Sequence, residues 1–268
     1  MADWVELQTL SGRSPYKRGD LKSAIAIEDI SSPDLLEVRV WDELATRSKL
    51  FGEHWPLRLD GAFLRRGRRQ PLNLAYYKYL LCLSLGLVEK ADRELFELLV
   101  ANALTGLTSH PSMHVGAPAS AGMDPSFRKR VKHYTKSSQL IKDEEYHRAP
   151  LPADKDLGLD AVSWYPFRDG RSGYLHFLVQ CATGEDWSTK LSDLHLEIWK
   201  RHINWAVTPV RIFSVPFALT MLPERWVRTC TEAGLVLDRP RLLELDGRHP
   251  LTPMLDADVK TRLKYLTQ

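Results

Sequence analysis

A mixed α/β fold with a mainly helical N-terminal region is predicted from three observations. Apolar residues recur at spacings of three and four through much of the first hundred positions, the signature of helices with one buried face. Two apolar runs, 158 to 164 and 174 to 184, flank an Asp169-Gly170 turn and form a β-hairpin pattern. A further short apolar run spans 209 to 216 and has strand length and strand composition.

In chain order, the first strong element covers 33 to 50. Ser32-Pro33-Asp34 is a favourable helix entry, and Leu35, Leu36, Val38, Val40, Trp41, Leu44 and Leu50 supply the apolar stripe. Residues 55 to 64 alternate around Asp60-Gly61, which predicts a short hairpin. Two helices are predicted over 71 to 85 and 90 to 104, broken at Gly86, both apolar enough to be partly buried. The stretch from 107 to 155 is the least regular, with Gly116, Pro118, Gly122 and Pro125 before a basic helical piece; a connection of that length is functional or mobile more often than structural. Beyond the hairpin, Leu191, Leu194, Ile198, Trp199 and Trp205 predict a helix over 187 to 207. A strand over 210 to 215 follows, then a helix over 223 to 233 stopped by Gly234 and leading into 235 to 238.

At 268 residues, 44% hydrophobic and 26% charged, the chain has ordinary globular composition, which excludes a disordered or fibrous class. A net charge of +3 neither demands nor forbids a polyanionic partner, so local clusters must decide. The three cysteines, Cys82, Cys181 and Cys230, are too few and too scattered for a disulfide framework or a metal knuckle, and a reducing cytoplasm is expected. No run approaches the roughly 18 apolar residues of a bilayer span, and the first residues lack the basic and apolar regions of a signal peptide. A cytoplasmic protein with no membrane partner is the expectation.

The predicted hairpin carries the chemistry. Asp160 opens its first strand and Gln180 closes its second, so the two meet at one end of a sheet, an arrangement suited to metal-dependent phosphodiester hydrolysis. A phosphodiester is a poor electrophile flanked by negative charge, and a hard cation on oxygen ligands both neutralises that charge and acidifies a bound water.

At these residues the chain resembles the PD-(D/E)XK nuclease superfamily, in the variant with Gln in place of the second acid. The resemblance implies a restriction-endonuclease-like domain, a mixed central sheet flanked by helices, over residues 90 to 268 with an insertion at about 107 to 155, preceded by a helical region over 1 to 89. It implies Mg²⁺, with Mn²⁺ as a substitute, held by Asp160, by Gln180, by Glu97 on the upstream helix and by the backbone carbonyl of Cys181. The family's strand lysine falls on Ala182 here, so Lys190, in the first turns of the next helix, is implied as the displaced residue facing the attacking water. The activity implied is cleavage of nucleic acid, with DNA the first expectation, by the effector of a bacterial defence system that relies on a protein partner for targeting or activation. A module of the same fold that has lost catalysis and only binds nucleic acid or a partner protein is the alternative.

Each residue also has a plainer reading: Asp160 as a strand-edge polar group, Glu97 as one of many glutamates on a wet helix face, Lys190 as a solvated lysine. Asp156, Glu185 and Asp186 are substitutes for a misassigned ligand. Cys181 is not expected to act with His176 as nucleophile and base, because residues five apart on a strand point to opposite faces. His110 and His114 flank Pro111 and are expected to be structural or solvated. Two basic clusters could hold a phosphate backbone: Arg65, Arg66, Arg68 and Arg69, and Arg128, Lys129, Arg130 and Lys132 with Lys136. In the second, Phe127, Val131 and Tyr134 form the apolar side of the same predicted helix.

Overall fold

A computed structural model describes residues 1–12, 14–26, 32–67, 73–87, 89–116, 124–138, 144–148, 150 and 157–266. The architecture is mixed α/β, with one central mixed sheet flanked by helices. Helices α1 (Ala2–Ser11), α2 (Arg18–Ala26) and α3 (Pro33–Phe51) open the chain, with β1 (Tyr16–Lys17) between the first two. The predicted hairpin forms as β2 (Leu57–Asp60) and β3 (Phe63–Arg66), and β1 joins it antiparallel at β3. Helices α4 (Leu74–Ser84) and α5 (Lys90–Thr108) follow. The start of α5 is closed by a capping box, in which Glu89 and Asp92 reciprocally satisfy each other's backbone N–H groups.

The central sheet runs β10-β9-β7-β6-β4. Its first three strands in sequence, β4 (Ser112–His114), β6 (Ala161–Tyr165) and β7 (Leu175–Cys181), form an antiparallel meander, with His114 opposite Ala161 and Ala161 opposite Val179. Between β4 and β6 lie α6 (Phe127–Ser137) and the short β5 (Glu145–Tyr146). From β7 the chain passes through a single helical turn, α7 (Leu196–Trp199), and β8 (Ile203–Asn204), which pairs with β5. It then re-enters the sheet as β9 (Val210–Ser214), parallel to β7. Helix α8 (Pro223–Ala233) crosses to β10 (Leu235–Leu237), parallel to β9. The closing helices α9 (Arg239–Arg248) and α10 (Pro253–Leu266) lie beyond the elements predicted from periodicity.

The period of two along β7 sets the layers. Phe177, Val179 and Cys181 face α5, in one cluster with Phe96, Leu99 and Val100. On the other face Leu178 packs with Val131, Trp164, Trp199 and Trp205, and His176 meets Tyr134 of α6. A third cluster seats α8 on β9 and β10 through Phe213, Val236 and Ala233. Each fully buried Leu, Val or Phe here contributes about 1.5–3 kcal/mol.

The helices before residue 89 pack on those after it. Side chains of α1, α3 and α4 share a single hydrophobic cluster with α5, α9, α10, Ala161 and Val179, so the N-terminal helices form part of the same core. A buried ionic cluster reinforces the union: Asp3 meets Arg47 at 2.6 Å and Arg239 at 2.5 Å, while Glu6 meets Arg47 at 3.0 Å. One expectation is corrected: the helix predicted over 187 to 207 is replaced by a 3₁₀ turn, Glu185–Thr189, the single turn α7 and β8. Ser, Thr and Asp compete with a helical backbone by bonding to it locally, as the Thr189 hydroxyl does with the Asp186 carbonyl.

Candidate functional site

Asp160 stands at the mouth of the β6–β7 hairpin. Its backbone is fixed on both sides, since its N–H donates to the Val179 carbonyl and its own carbonyl accepts the N–H groups of Val115 at 2.8 Å and Gly116 at 2.9 Å. The buried carboxylate turns toward the end of β7, where Oδ2 accepts the Cys181 N–H at 2.6 Å. Gly158, two residues earlier, has φ +72° and lies with its Cβ position 3.1 Å from the backbone of Asp193 and Leu194. Only glycine tolerates both that torsion and that approach.

Glu97 reaches the same place from α5. The helix buries Leu95, Phe96, Leu99 and Val100, and the half-buried Glu97 lies along the edge of that stripe. Its Oε2 sits 2.6 Å from Nε2 of His114 on β4. Burial holds the His114 imidazole down at about 4, and the nearby Glu94 only partly offsets this. At neutral pH the contact is therefore a hydrogen bond from a neutral ring to a carboxylate.

Glu97 and Asp160 converge over Gly116. A Cβ on that glycine would lie 2.7 Å from Glu97 Oε2 and 3.1 Å from Asp160 Oδ1, so both carboxylates crowd against a residue that has no side chain. The thiol of Cys181 belongs to the same neighbourhood: burial first, then Asp160 and Glu97, push it well above its ordinary value. It stays protonated, which removes it as a thiolate ligand or nucleophile.

Arg130 locks the strand end that carries Gly116. Expected on the cationic face of α6, it is instead buried. Its guanidinium donates to the Val115 carbonyl at 2.9 Å, the Gly116 carbonyl at 2.6 Å and the Asp124 carbonyl at 2.7 Å. An arginine fork satisfies several orphaned carbonyls at once, and here it acts on the backbone beside Asp160 rather than on a phosphate.

Gln180 is not brought to the carboxylate pair. Strand alternation turns it away from α5, and its amide oxygen accepts the Leu194 N–H at 3.2 Å. It ties the segment after β7 to the sheet. Lys190 closes the 3₁₀ turn of that segment, and its half-exposed ammonium pairs with Asp186 at 3.1 Å. Glu185 and Asp186 lie on the same exposed turn, and Asp156 falls outside the described residues.

The remaining cations divide sharply. On α6, Arg128, Lys129, Lys132 and Lys136 are exposed, with Lys129 paired to Asp124 at 3.2 Å, while Val131 and Tyr134 are buried. On β3, Arg66 donates to the Thr9 and Leu10 carbonyls at the end of α1, and Arg65 sits over the Phe63 ring and 3.5 Å from Asp60. Arg66 thus caps a helix rather than presenting charge to a partner. Arg68 and Arg69 lie outside the described residues.

The site offers two hard oxygen ligands. Among the described residues no group of three or more His, Cys, Asp or Glu side chains is arranged to hold a metal ion. A pair of carboxylates beside Gly116 is nevertheless a donor set of the kind Mg²⁺ takes, since that ion is commonly held by one or two carboxylates together with waters and substrate phosphates. A separate cleft of about 500 Å³ lies between α3, α8 and α9, walled by Phe51, Met221, Trp226 and Pro240. Of its polar groups, Asp238 accepts the Leu219 N–H and Arg241 donates to the Val236 carbonyl. Among the described residues no helix is long and apolar enough to cross a membrane. No family model matches the chain, and no curated protein or solved structure was found to be similar to it.

Proposed function

We propose that this chain is a metal-dependent nuclease of the PD-(D/E)XK type, hydrolysing nucleic-acid phosphodiesters with Mg²⁺ or Mn²⁺. The observation that supports this reading is the close approach of the Asp160 and Glu97 carboxylates to Gly116, at the end of a mixed sheet flanked by helices. Asp160 and Glu97 would hold the cation, with the backbone carbonyl of Cys181 the further ligand that the resemblance implies. A cation bound there would supply neutralisation of charge on the scissile phosphate and a lowered pKa for a bound water.

The chain's own residues do the rest. Arg130 and the Cys181 N–H hold the strand ends and the Asp160 carboxylate in place, a preorganisation that a reactive site requires. Lys190 orients or deprotonates the water, and to do so it exchanges Asp186 for the substrate. Gln180 acts as an anchor for the segment that carries Lys190 and not as a ligand. The exposed cations of α6 track the phosphate backbone. DNA is the expected substrate, and action with a protein partner in a bacterial defence system is analogy from the resemblance.

The pairing of Lys190 with Asp186 and the orientation of Gln180 favour a second reading, a module that binds nucleic acid or a protein without cleaving. Single-stranded DNA, duplex DNA and RNA should be incubated with the full chain in Mg²⁺, in Mn²⁺ and in chelator, beside Asp160→Asn. Asparagine keeps an acceptor for the Cys181 N–H, so the variant is expected to fold and to lose cleavage entirely. Equal cleavage by variant and parent overturns the assignment. Binding of nucleic acid by the parent without cleavage in either metal selects the second reading.

A further inference from the structure

We propose that His114 is a positioning residue that fixes Glu97 for its partnership with Asp160, an inference that rests on the nuclease reading of the site. A glutamate at the edge of a helix has three side-chain torsions, and ordering them costs conformational entropy. Asp160 needs no such help, because it is short and its Oδ2 is tethered to Cys181 N–H. Glu97 approaches the same glycine from a different element, α5, so something must set its carboxylate against the sheet.

His114 has the geometry for that task. It pairs with Ala161, the neighbour of Asp160, in the β4–β6 ladder, and the next two residues of its strand, Val115 and Gly116, both donate to the Asp160 carbonyl. The imidazole is therefore registered to Asp160 by the sheet itself. Its side chain is 1% exposed, which excludes water as a competing partner, and Nε2 meets Glu97 Oε2 at 2.6 Å. One ring thus transfers the position of the sheet to a carboxylate on the helix. Being held between Glu97 and the core, His114 acts on the reaction only through that carboxylate.

The test is Mn²⁺ binding by calorimetry on the full chain, with cleavage and melting temperature read in parallel, for His114→Ala, His114→Phe and His114→Gln. Phenylalanine keeps the ring volume without a donor, and glutamine places an N–H near the position of Nε2. The Ala and Phe variants are expected to bind Mn²⁺ about 10–100-fold more weakly, the usual effect of removing an outer-shell partner, and Gln to recover most of that affinity. Should Ala fail to fold, the Phe and Gln pair decides. A Phe variant that binds Mn²⁺ as the parent does, or a Gln variant no better than Phe, overturns the inference while the nuclease reading stands. If Asp160→Asn leaves Mn²⁺ binding and cleavage unchanged, the nuclease reading itself has failed.

Discussion

Gly116 has no side chain where two carboxylates need the space. Its Cβ position lies 2.7 Å from Glu97 Oε2 and 3.1 Å from both Asp160 Oδ1 and Asp160 Cα. The backbone of Asp160 is held by three main-chain hydrogen bonds and cannot yield, whereas the end of Glu97 can swing. Gly116→Ala is therefore expected to keep the fold and displace Glu97 alone, weakening Mn²⁺ binding by about 10-fold or more, the scale of a disturbed ligand shell. Calorimetry with Mn²⁺ checks it, and an Ala variant that binds as the parent does shows that the two carboxylates do not act on one ion. The same residue scale explains why Arg130 and Lys129, adjacent in sequence, differ. A step of one along a helix turns the side chain by about 100°, which sends Lys129 to solvent and Arg130 to the carbonyls of Val115 and Gly116.

At the scale of elements, α6 performs two tasks with one amphipathic surface. Val131 and Tyr134 dock it on the sheet, where the Tyr134 hydroxyl lies 2.7 Å from His176 Nδ1. Arg128, Lys129, Lys132 and Lys136 face solvent. Reversing Arg128, Lys129 and Lys132 to Glu is expected to weaken binding to every nucleic-acid sequence and to lower the logarithmic salt slope by about one unit for each phosphate left without its cation. The melting temperature should barely change, since none of the three side chains is buried. Anisotropy titrations across a salt series make the measurement, and an unchanged slope would place the phosphate-binding cations elsewhere than on this helix. The segment between β7 and β9 shows the opposite relation between element and sequence. It has helical apolar spacing but folds as turns gripped by Gln180 at Leu194 and by the close approach of Gly158.

At the scale of the whole molecule, buried charge sets how stability depends on pH. Burial alone would raise Asp3, but Arg239 and Arg47 more than offset it and hold the carboxyl at about 2. Asp246 of α9 behaves in the opposite way: burial lifts it from 3.8 to about 6, with Asp256 adding to the rise, and among the described residues its Oδ1 meets no hydrogen-bond donor. A folded-state pKa above the unfolded one means the native state binds the extra proton, so this contribution is present below about pH 4 and is lost as pH rises through 6. Asp246→Asn is accordingly expected to stabilise the protein near neutral pH by on the order of 1–3 kcal/mol and to change little at pH 4. Buried His176 titrates with the opposite sign. Burial lowers it from 6.5 to about 4, so its contribution is lost as pH falls through that interval in parent and variant alike. Denaturant melts at the two pH values isolate the Asp246 effect, and a variant no more stable than the parent at neutral pH refutes it.

Element type was legible wherever the pattern is local. Helices α3, α4, α5 and α8, the β2–β3 and β6–β7 hairpins and β9 follow from apolar spacing, Pro and Gly punctuation and turn residues, because those features act within a few positions of one another. The position of Asp160 was legible for the same reason, as a carboxylate at the start of a strand. Tertiary structure alone decided what Asp160 meets. Glu97 reaches the sheet because α5 packs on β4 and β6; His114 faces it across a turn and 17 positions of sequence; and Gly116 leaves room for both. Gln180 and Arg130 were misplaced by local reasoning. Each is polar and periodic in sequence, and only the packing of the Leu194 and Val115 backbones against them shows that their side chains serve the scaffold. Periodicity tells which face of an element is buried, and it carries no information about which polar groups from distant elements will satisfy one another there.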